Sequence, residues 1–335
     1  MRASRQQGAA LLTAMLTVTL VATFAAAALW QQWRTVEIEA AERSRTQMQW
    51  VLNGALDWAR LILQEDGRDS QVDHLSEPWA LPLKEARLSS FLAVDKNNTQ
   101  DALNAFLSGQ ISDQQALLNV RNLVLDGKPN PSSLLAFGRL FSMLNLPRSQ
   151  LNLLVDRLLA ADAASAKPNA SANANAIANE AVESDSTAPF KPYRMEHLTW
   201  LGLPKTTVNA LAPYATLLPT PTPLNLNTAS AEVLSVSVPG MDRARAQQWV
   251  AARATAHFKT VAEAFKVGGV SESGSGAAEA KDFSVNSRYF AVRGRLRLGN
   301  SSVQELSLVE RVSPSVTVIW RQRETAMSPV VGSLQ

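Results

Sequence analysis

The sequence predicts an α+β protein with one long amino-terminal helix, half transmembrane and half amphipathic, an all-α region in the middle of the chain and an antiparallel sheet near its end. Three observations carry this. Ala9 to Trp30 is a run of 22 residues without a charged side chain. Helical three-and-four spacing then continues, and no proline occurs before Pro78. From Phe283 onward the pattern changes to strict alternation of apolar and polar residues, the period of a strand.

At about 1.5 Å per residue, residues 9–30 as a helix cross a bilayer core of roughly 30 Å. Arg2 and Arg5 precede them, which predicts a cytoplasmic head, with Trp30 and Trp33 at the opposite interface and the main body outside the cytoplasm. A secretory signal peptide is the competing reading, because Ala25 to Ala28 supply the small residues that signal peptidase favours. The helical signal does not stop there, however. Trp33, Val36, Ala40, Met48, Leu52, Ala55, Ala59 and Ile62 recur at three- or four-residue spacing, with Glu37, Glu42, Arg43 and Arg45 between them. A single helix over 9–64 is expected.

After Gln64 the run EDGRDSQVDH reads as a loop, followed by the Trp79-containing EPWALPL. Between Ser132 and Ala161 the spacing of Leu134, Leu135, Phe137, Leu140, Phe141 and Leu144, then Leu151, Leu154 and Leu158, is helical, and Pro147 divides it into two helices. Residues 162–189 are rich in Ala, Asn and Ser and poor in large apolar side chains, so they are read as a flexible insertion, with 266–281 as a second one. In 283–298, Phe290, Val292, Leu296 and Leu298 share one parity and Arg293, Arg295 and Arg297 the other, the mark of a half-solvated strand. The arginine row is read as a solvated face. Gly299-Asn300 makes a turn, Val303 to Val312 a second strand, Pro314 a break and Val316 to Arg321 a third. Residues 326–335 form a tail.

The segment PLNLNTASAEVLSVSVPGMDRARAQQWVAAR predicts two short helices. Asn225, Asn227 and Thr228 open it, Thr228 serves as N-cap, and Pro239-Gly240 makes the turn between the helices. It resembles the helix-hairpin-helix (SAM-like) module. Such modules hold a DNA phosphate on backbone amides of a Gly-x-Gly hairpin at a helix amino terminus. Here Met241 and Asp242 follow Gly240, so the close approach is lost and a carboxylate repels the phosphate. The hairpin is therefore read as degenerate and structural, and nucleic acid is not expected as a partner. A membrane-anchored extracytoplasmic DNA-binding receptor is the alternative function.

Composition narrows the chemistry. The 335 residues suit about two domains, and 46% hydrophobic content is ample for their cores. The absence of Cys excludes disulfides, thiolate metal sites and cysteine nucleophiles. The three histidines, His74, His197 and His257, show no metal-ligand spacing, and a formal charge of +3 gives little support to a polyanion-binding surface. No nucleophile elbow, P-loop or dinucleotide fingerprint occurs. No catalytic residue is assigned, and the chain is not expected to be an enzyme.

The basic leader, Gly8, the run AALLTAMLTVTLVATFAAAAL and the amphipathic helix after it together resemble type IV pilins and type II secretion pseudopilins. The resemblance implies cleavage by prepilin peptidase between Gly8 and Ala9, N-methylation of Ala9 and retention of the apolar helix. Most members carry glutamate where this chain has Thr13. A carboxylate at that depth needs the amino terminus of a neighbouring subunit to pair with, whereas a neutral residue does not. A neutral residue there is the pattern of the K-type minor pseudopilins (GspK family), read as tip subunits. The order Gly109, Ile111, Asp113, Leu118, Asn119, Asn122, Leu123 resembles the early strand region of that family, with Arg121 where its Asn-x-Asn step has the second Asn.

The resemblance implies a leader over 1–8 and a pilin-like antiparallel sheet built from 65–130 and 282–325. An inserted all-α domain over 131–281 interrupts that sheet. It further implies a single-pass inner-membrane protein with its amino terminus cytoplasmic and its main domain periplasmic. Its function would be to initiate or cap the pseudopilus that exports folded proteins across the outer membrane. Expected partners are the I-, J- and H-type minor pseudopilins, the major pseudopilin, prepilin peptidase and the inner-membrane assembly platform, with secreted cargo or secretin also in view. The family's Asp-Trp-x-Asp-x-Asp run of calcium-type donors is reduced here to Asp156 and Asp162, so calcium is a weak candidate and no other cofactor is expected.

Overall fold

The computed structural model describes residues 7–88, 105–166, 189–269, 280–299, 301–312 and 314–326. Helix α1 (Gln7–Asp69) comes first, then strands β1 (Leu83–Arg87), β2 (Ala105–Asp113) and β3 (Leu118–Asn119), and the short hairpin β4 (Val124–Leu125) and β5 (Lys128–Pro129). Helices α2 (Pro131–Met143), α3 (Arg148–Ala166) and α4 (Lys205–Leu211) follow, then β6 (Ala215–Thr216) and β7 (Leu224–Asn225). Helices α5 (Ala231–Ser237), α6 (Arg243–Thr255) and α7 (Val261–Gly268) lead to β8 (Phe283–Ser284), β9 (Tyr289–Leu298), β10 (Ser301–Val312) and β11 (Ser315–Ala326).

At 63 residues α1 is about 95 Å long. Among the described residues its buried side chains lie towards its end, where Met48, Leu52, Leu56, Ala59 and Leu63 recur every three or four residues. They lie on a five-stranded antiparallel sheet of order β1-β2-β9-β10-β11. On that face Leu107 and Ile111 of β2, Phe290, Val292 and Leu296 of β9, and Val303 and Val309 of β10 form the apolar layer. Gly294 lets the helix come close, since a Cβ there would stand 3.2 Å from Leu52 Cδ2.

The sheet is assembled from two distant pieces of chain. Strand β2 pairs with β9 in continuous register from Ala105↔Leu298 to Asp113↔Phe290, so everything between leaves the sheet after β2 and returns at β9. The excursion has its own core, running from Leu118 through the helices to Phe283. Its centre is Trp249, set edge-on to Phe258 and Phe265 at centroid distances of 5.6 and 6.3 Å. Two parallel two-residue ladders, β3 with β6 and β7 with β8, close its base against the sheet. On the sheet's second face Tyr289 and Leu308 meet Leu218 of this domain.

Several boundaries differ from the sequence reading. Helix α1 runs on to Asp69, so half of the expected loop after Gln64 is helical. The core of the inserted domain already includes Leu118, Val120 and Leu123, ahead of residue 131, because β3 pairs forward with β6. Phe283–Ser284 belongs to that domain through β7, so the closing sheet starts only at Tyr289. Strand β10 begins at Ser301 and β11 extends to Ala326. Asp162 to Ala166 end α3, Lys266 to Gly268 end α7, and 280–282 form a single helical turn. The rest of the two expected flexible insertions, the leader residues 1–6, Asn300 and the tail 327–335 lie outside the described residues.

Packing at the base of α7 generates a direct test. A Cβ on Gly268 would lie 2.3 Å from Trp249 Cζ3, at the centre of the inserted core. Gly268→Ala should destabilise that domain by about 1–3 kcal/mol, read as a lower denaturation midpoint.

Candidate functional site

Among the described residues, the densest concentration of buried polar groups lies where the end of α1, the sheet and the inserted domain meet. Arg311 of β10, 9% exposed, reaches across to α1 and to the loop behind it. Its guanidinium donates to Asp66 Oδ2 at 2.6 Å, Asp73 Oδ2 at 2.6 Å and the Ser287 carbonyl at 3.0 Å. Gly67 makes room for it, because a Cβ there would stand 3.0 Å from Arg311 Cδ. Ligand-capable oxygens of Asp66, Asp73 and Glu77 lie within 4.8 Å of one another, and Arg311 supplies the positive charge between the first two.

Next to this ion triad sits Asp113, the last residue of β2. Its Oδ2 accepts from Thr228 Oγ1 at 2.5 Å, Ser287 Oγ at 2.7 Å and Asn225 Nδ2 at 3.1 Å, while Oδ1 accepts the Gln115 amide at 2.8 Å. Asn225 also donates to the Asp73 carbonyl, and the Ser287 amide donates to Asp73 Oδ2 at 2.6 Å. The two networks are thus one. Glu77 accepts from the His74 amide and from Trp79 Nε1, and His74 stacks on His257 with centroids 3.9 Å apart, a second link to the inserted domain.

Burial sets the charge states. Complete burial pushes Asp113 up to about 6, against the hydrogen bonds from Thr228, Ser287 and Gln115 that favour its ionised form. Burial, helped by the nearby Glu77, likewise raises Asp66 to about 6. Burial works against the charge on Arg311, but Asp73 and Asp66 outweigh it and hold its pKa above the ordinary value.

The hairpin residues picked out from the sequence are therefore brought together, in a different role. Asn225 and Thr228 belong to the junction, and Asn227 exchanges two hydrogen bonds of 2.9 Å with the backbone of Phe258. Thr228 is not the helix cap. Its hydroxyl is spent on Asp113, and Ser230 caps α5 by accepting from the Val233 amide. Gly240 takes the left-handed turn at φ +72° after Pro239, and Asp242 then caps α6 by accepting the Arg245 amide at 2.8 Å. The carboxylate thus fills the helix terminus where an anion would be held. Arg243 is engaged with Glu232 at 3.0 Å.

At the amino-terminal end Gly8 and Ala9 lie within α1. Thr13 satisfies its own hydroxyl inside the helix, donating to the Ala9 and Ala10 carbonyls at 3.1 and 3.0 Å. Among the described residues the two weak calcium candidates share no oxygen cage. Asp156 is exposed on α3, while Asp162 lies 2.9 Å from Lys191 Nζ and 3.6 Å from Arg121 NH1, cations that leave it little charge to offer a metal.

A long helix laid by its end on an antiparallel sheet, with a helical domain carried between the second and third strands of that sheet, is the architecture of a pilin-type subunit. The helix is long and apolar enough to cross a membrane. Residues 116–220 and 224–286 match family models described as "Type II secretion system (T2SS), protein K", together half of the chain. The chain belongs to that family, the GspK pseudopilins. The protein K of Pseudomonas aeruginosa is 27% identical over 315 residues, covering 91% of this chain and 89% of that one. That of Pectobacterium carotovorum subsp. carotovorum is 27% identical over 334 residues, covering 95% and 97%. A chain in the crystal structure of the GspK–GspI–GspJ complex from enterotoxigenic Escherichia coli shares the fold, with a TM-score of 0.63 at 17% identity, over 85% of this chain and 99% of that one.

The raised carboxyls have a signed consequence. A carboxyl whose folded pKa stands above its ordinary 3.8 contributes stability that is complete below that value and is lost as pH rises through about 6. Thr228→Val removes a hydrogen bond that favours ionised Asp113, raising that pKa further. It should cost about 1.5–3 kcal/mol at pH 7.5 and less at pH 5, read from denaturation midpoints at the two pH values.

Proposed function

We propose that this chain is a minor pseudopilin that initiates or caps the fibre of a type II secretion system. Its precursor would sit in the inner membrane with the amino terminus cytoplasmic and the head periplasmic. The observation that carries the reading is Thr13. A glutamate at that position would need the charged amino terminus of an adjacent subunit, but the Thr13 hydroxyl is satisfied by its own helix. A subunit built this way has no electrostatic demand for a neighbour above it. The inserted domain supports the same conclusion, because it widens the head on the side of the sheet away from α1 and would obstruct a further subunit.

The work of such a protein is assembly and not catalysis. The apolar part of α1 would hold the precursor in the bilayer until prepilin peptidase cuts between Gly8 and Ala9 and methylates Ala9, after which the helix would join the fibre core. The Escherichia coli relative was crystallised with GspI and GspJ, and the corresponding I- and J-type subunits are the partners proposed here. The H-type and major pseudopilins and the assembly platform complete the proposed set. The Asp242 carboxylate at the α6 terminus gives no support to a DNA-binding receptor.

Intact mass and amino-terminal sequencing of the mature protein test the assignment. A methylated Ala9 is the expected result, and Gly8→Ala should leave the precursor at full length. Normal shortening of that variant, or a terminus near Ala27, would remove the pseudopilin reading. Thr13→Glu should lower the yield of assembled subunit, since its carboxylate would lack a partner, and unchanged assembly would count against the tip position.

A further inference from the structure

The apolar layer between α1 and the sheet is interrupted near its middle. Ile111, Val292 and Val309 pack with the helix from Leu56 onward, Leu107, Leu296 and Val303 pack with it up to Leu52, and the two groups form separate clusters. Between them the row that crosses β2, β9 and β10 in register is Gly109, Gly294 and Glu305. Ser307 comes next on the same face of β10, opposite Val292. Glu305 and Ser307 are 3% and 1% exposed. Together with Ala55 and Ala59 of α1, these residues line a cavity of about 260 Å³ between helix and sheet.

Each of these choices works against stability. Glycine weakens a strand interior, an unfilled space forfeits contacts on every side, and a buried carboxylate has to recover its lost hydration. Arg323 recovers part of it by pairing with Glu305 Oε2. Among the described residues, Oε1 receives only the Ser307 hydroxyl, at the long distance of 3.4 Å. An acceptor with capacity to spare thus lines a space that is otherwise walled mainly by apolar side chains.

We propose that this cavity is a binding site for a neutral apolar molecule carrying one hydroxyl, the class of a short alkylphenol. Its size follows from the volume: a cavity of about 150 Å³ holds benzene, so this one suits about ten heavy atoms. The hydroxyl follows from Oε1, which can only accept, and neutrality follows from Arg323, which already balances the Glu305 charge. Trp58 and Leu81 line the same cavity and are 51% and 66% exposed, so it opens to solvent. Acyl chains of the bilayer do not reach it, since Leu52 stands about 33 Å of helix beyond Trp30. A bound molecule fills the gap under α1 and so strengthens the attachment of the helix to the sheet.

The test uses the full-length chain in lipid nanodiscs, with carbon-13-labelled isoleucine methyl groups, titrated with para-butylphenol. Ile62 and Ile111 line the cavity, and their resonances should shift saturably. Ile38, lower on α1, and Ile319 of β11 should stay in place. Butylbenzene is the more apolar molecule but offers no hydrogen to the carboxylate, and it should bind about tenfold more weakly. Ala55→Leu fills the space from the helix side. It should keep or raise the denaturation midpoint yet weaken para-butylphenol binding by about tenfold or more. Glu305→Met removes the acceptor and should bring the two molecules to equal affinity; Ala55→Leu, which touches no polar group, decides the matter if that variant does not fold. Shifts at all four isoleucines, which mark simple partition into lipid, overturn the proposal. So do equal affinities of the unaltered chain for phenol and hydrocarbon, or undiminished binding by Ala55→Leu.

Discussion

The arrangement of the whole molecule depends on how Arg311 and four buried or half-buried carboxylates are held where α1, the sheet and the inserted domain meet. Removing charges from water costs several kcal/mol for each ion unless geometry returns it. Here it is returned only if four distant stretches of chain arrive together: the end of α1 and its loop, the end of β2, the start of the hairpin module, and the β8–β10 region. No one of these could keep its polar groups buried without the others. Folding of the three parts is therefore coupled by electrostatics as well as by apolar packing.

The coupling gives the long helix its use. Among the described residues α1 buries side chains against the head from Met48 onward, and an apolar layer alone resists sliding of a helix along a sheet poorly. The Arg311–Asp66 bond ties one helical turn of α1 to β10, and Gly67 beneath it fixes the helix's rotation by letting the arginine stem in. The rotation of the exposed faces of α1 is thereby fixed relative to the head. The inserted domain is locked in turn through Asn225, Thr228 and the His74–His257 stack, so a push on the helix is carried to the widest part of the molecule.

Much of this was legible in the sequence where the signal is local. The uncharged run, the three-and-four spacing, the alternation around Arg293 to Arg297 and the Pro239-Gly240 turn each specify their element through neighbours a few residues away. The junction was not legible, because Asp66, Asp73, Ser287 and Arg311 have no periodic relation and are joined only by topology. Asp113 and Thr228 stood out, but as members of motifs, and the local rule that makes threonine a good N-cap gave way to a buried carboxylate more than a hundred positions away. Exposed apolar positions of α1 such as Val36 and Trp50 lie nearly opposite the buried Met48, Leu52 and Leu56, and three-and-four spacing alone ran Val36 and Leu52 together as one stripe. The insertion boundaries shifted because strands as short as β3 and β8 are defined by a distant partner and carry almost no pattern of their own.

The central claim, that the junction makes sheet and inserted domain one cooperative unit, is tested most directly by native-state amide hydrogen exchange on the full chain in detergent. The slowest amides of β9 and those bonded across the inserted core, such as Phe258, should open with the same free energy. In Arg311→Met that common value should split, with the inserted domain opening first. Separate opening free energies already present in the unaltered protein, or a common value that survives the substitution, would contradict it.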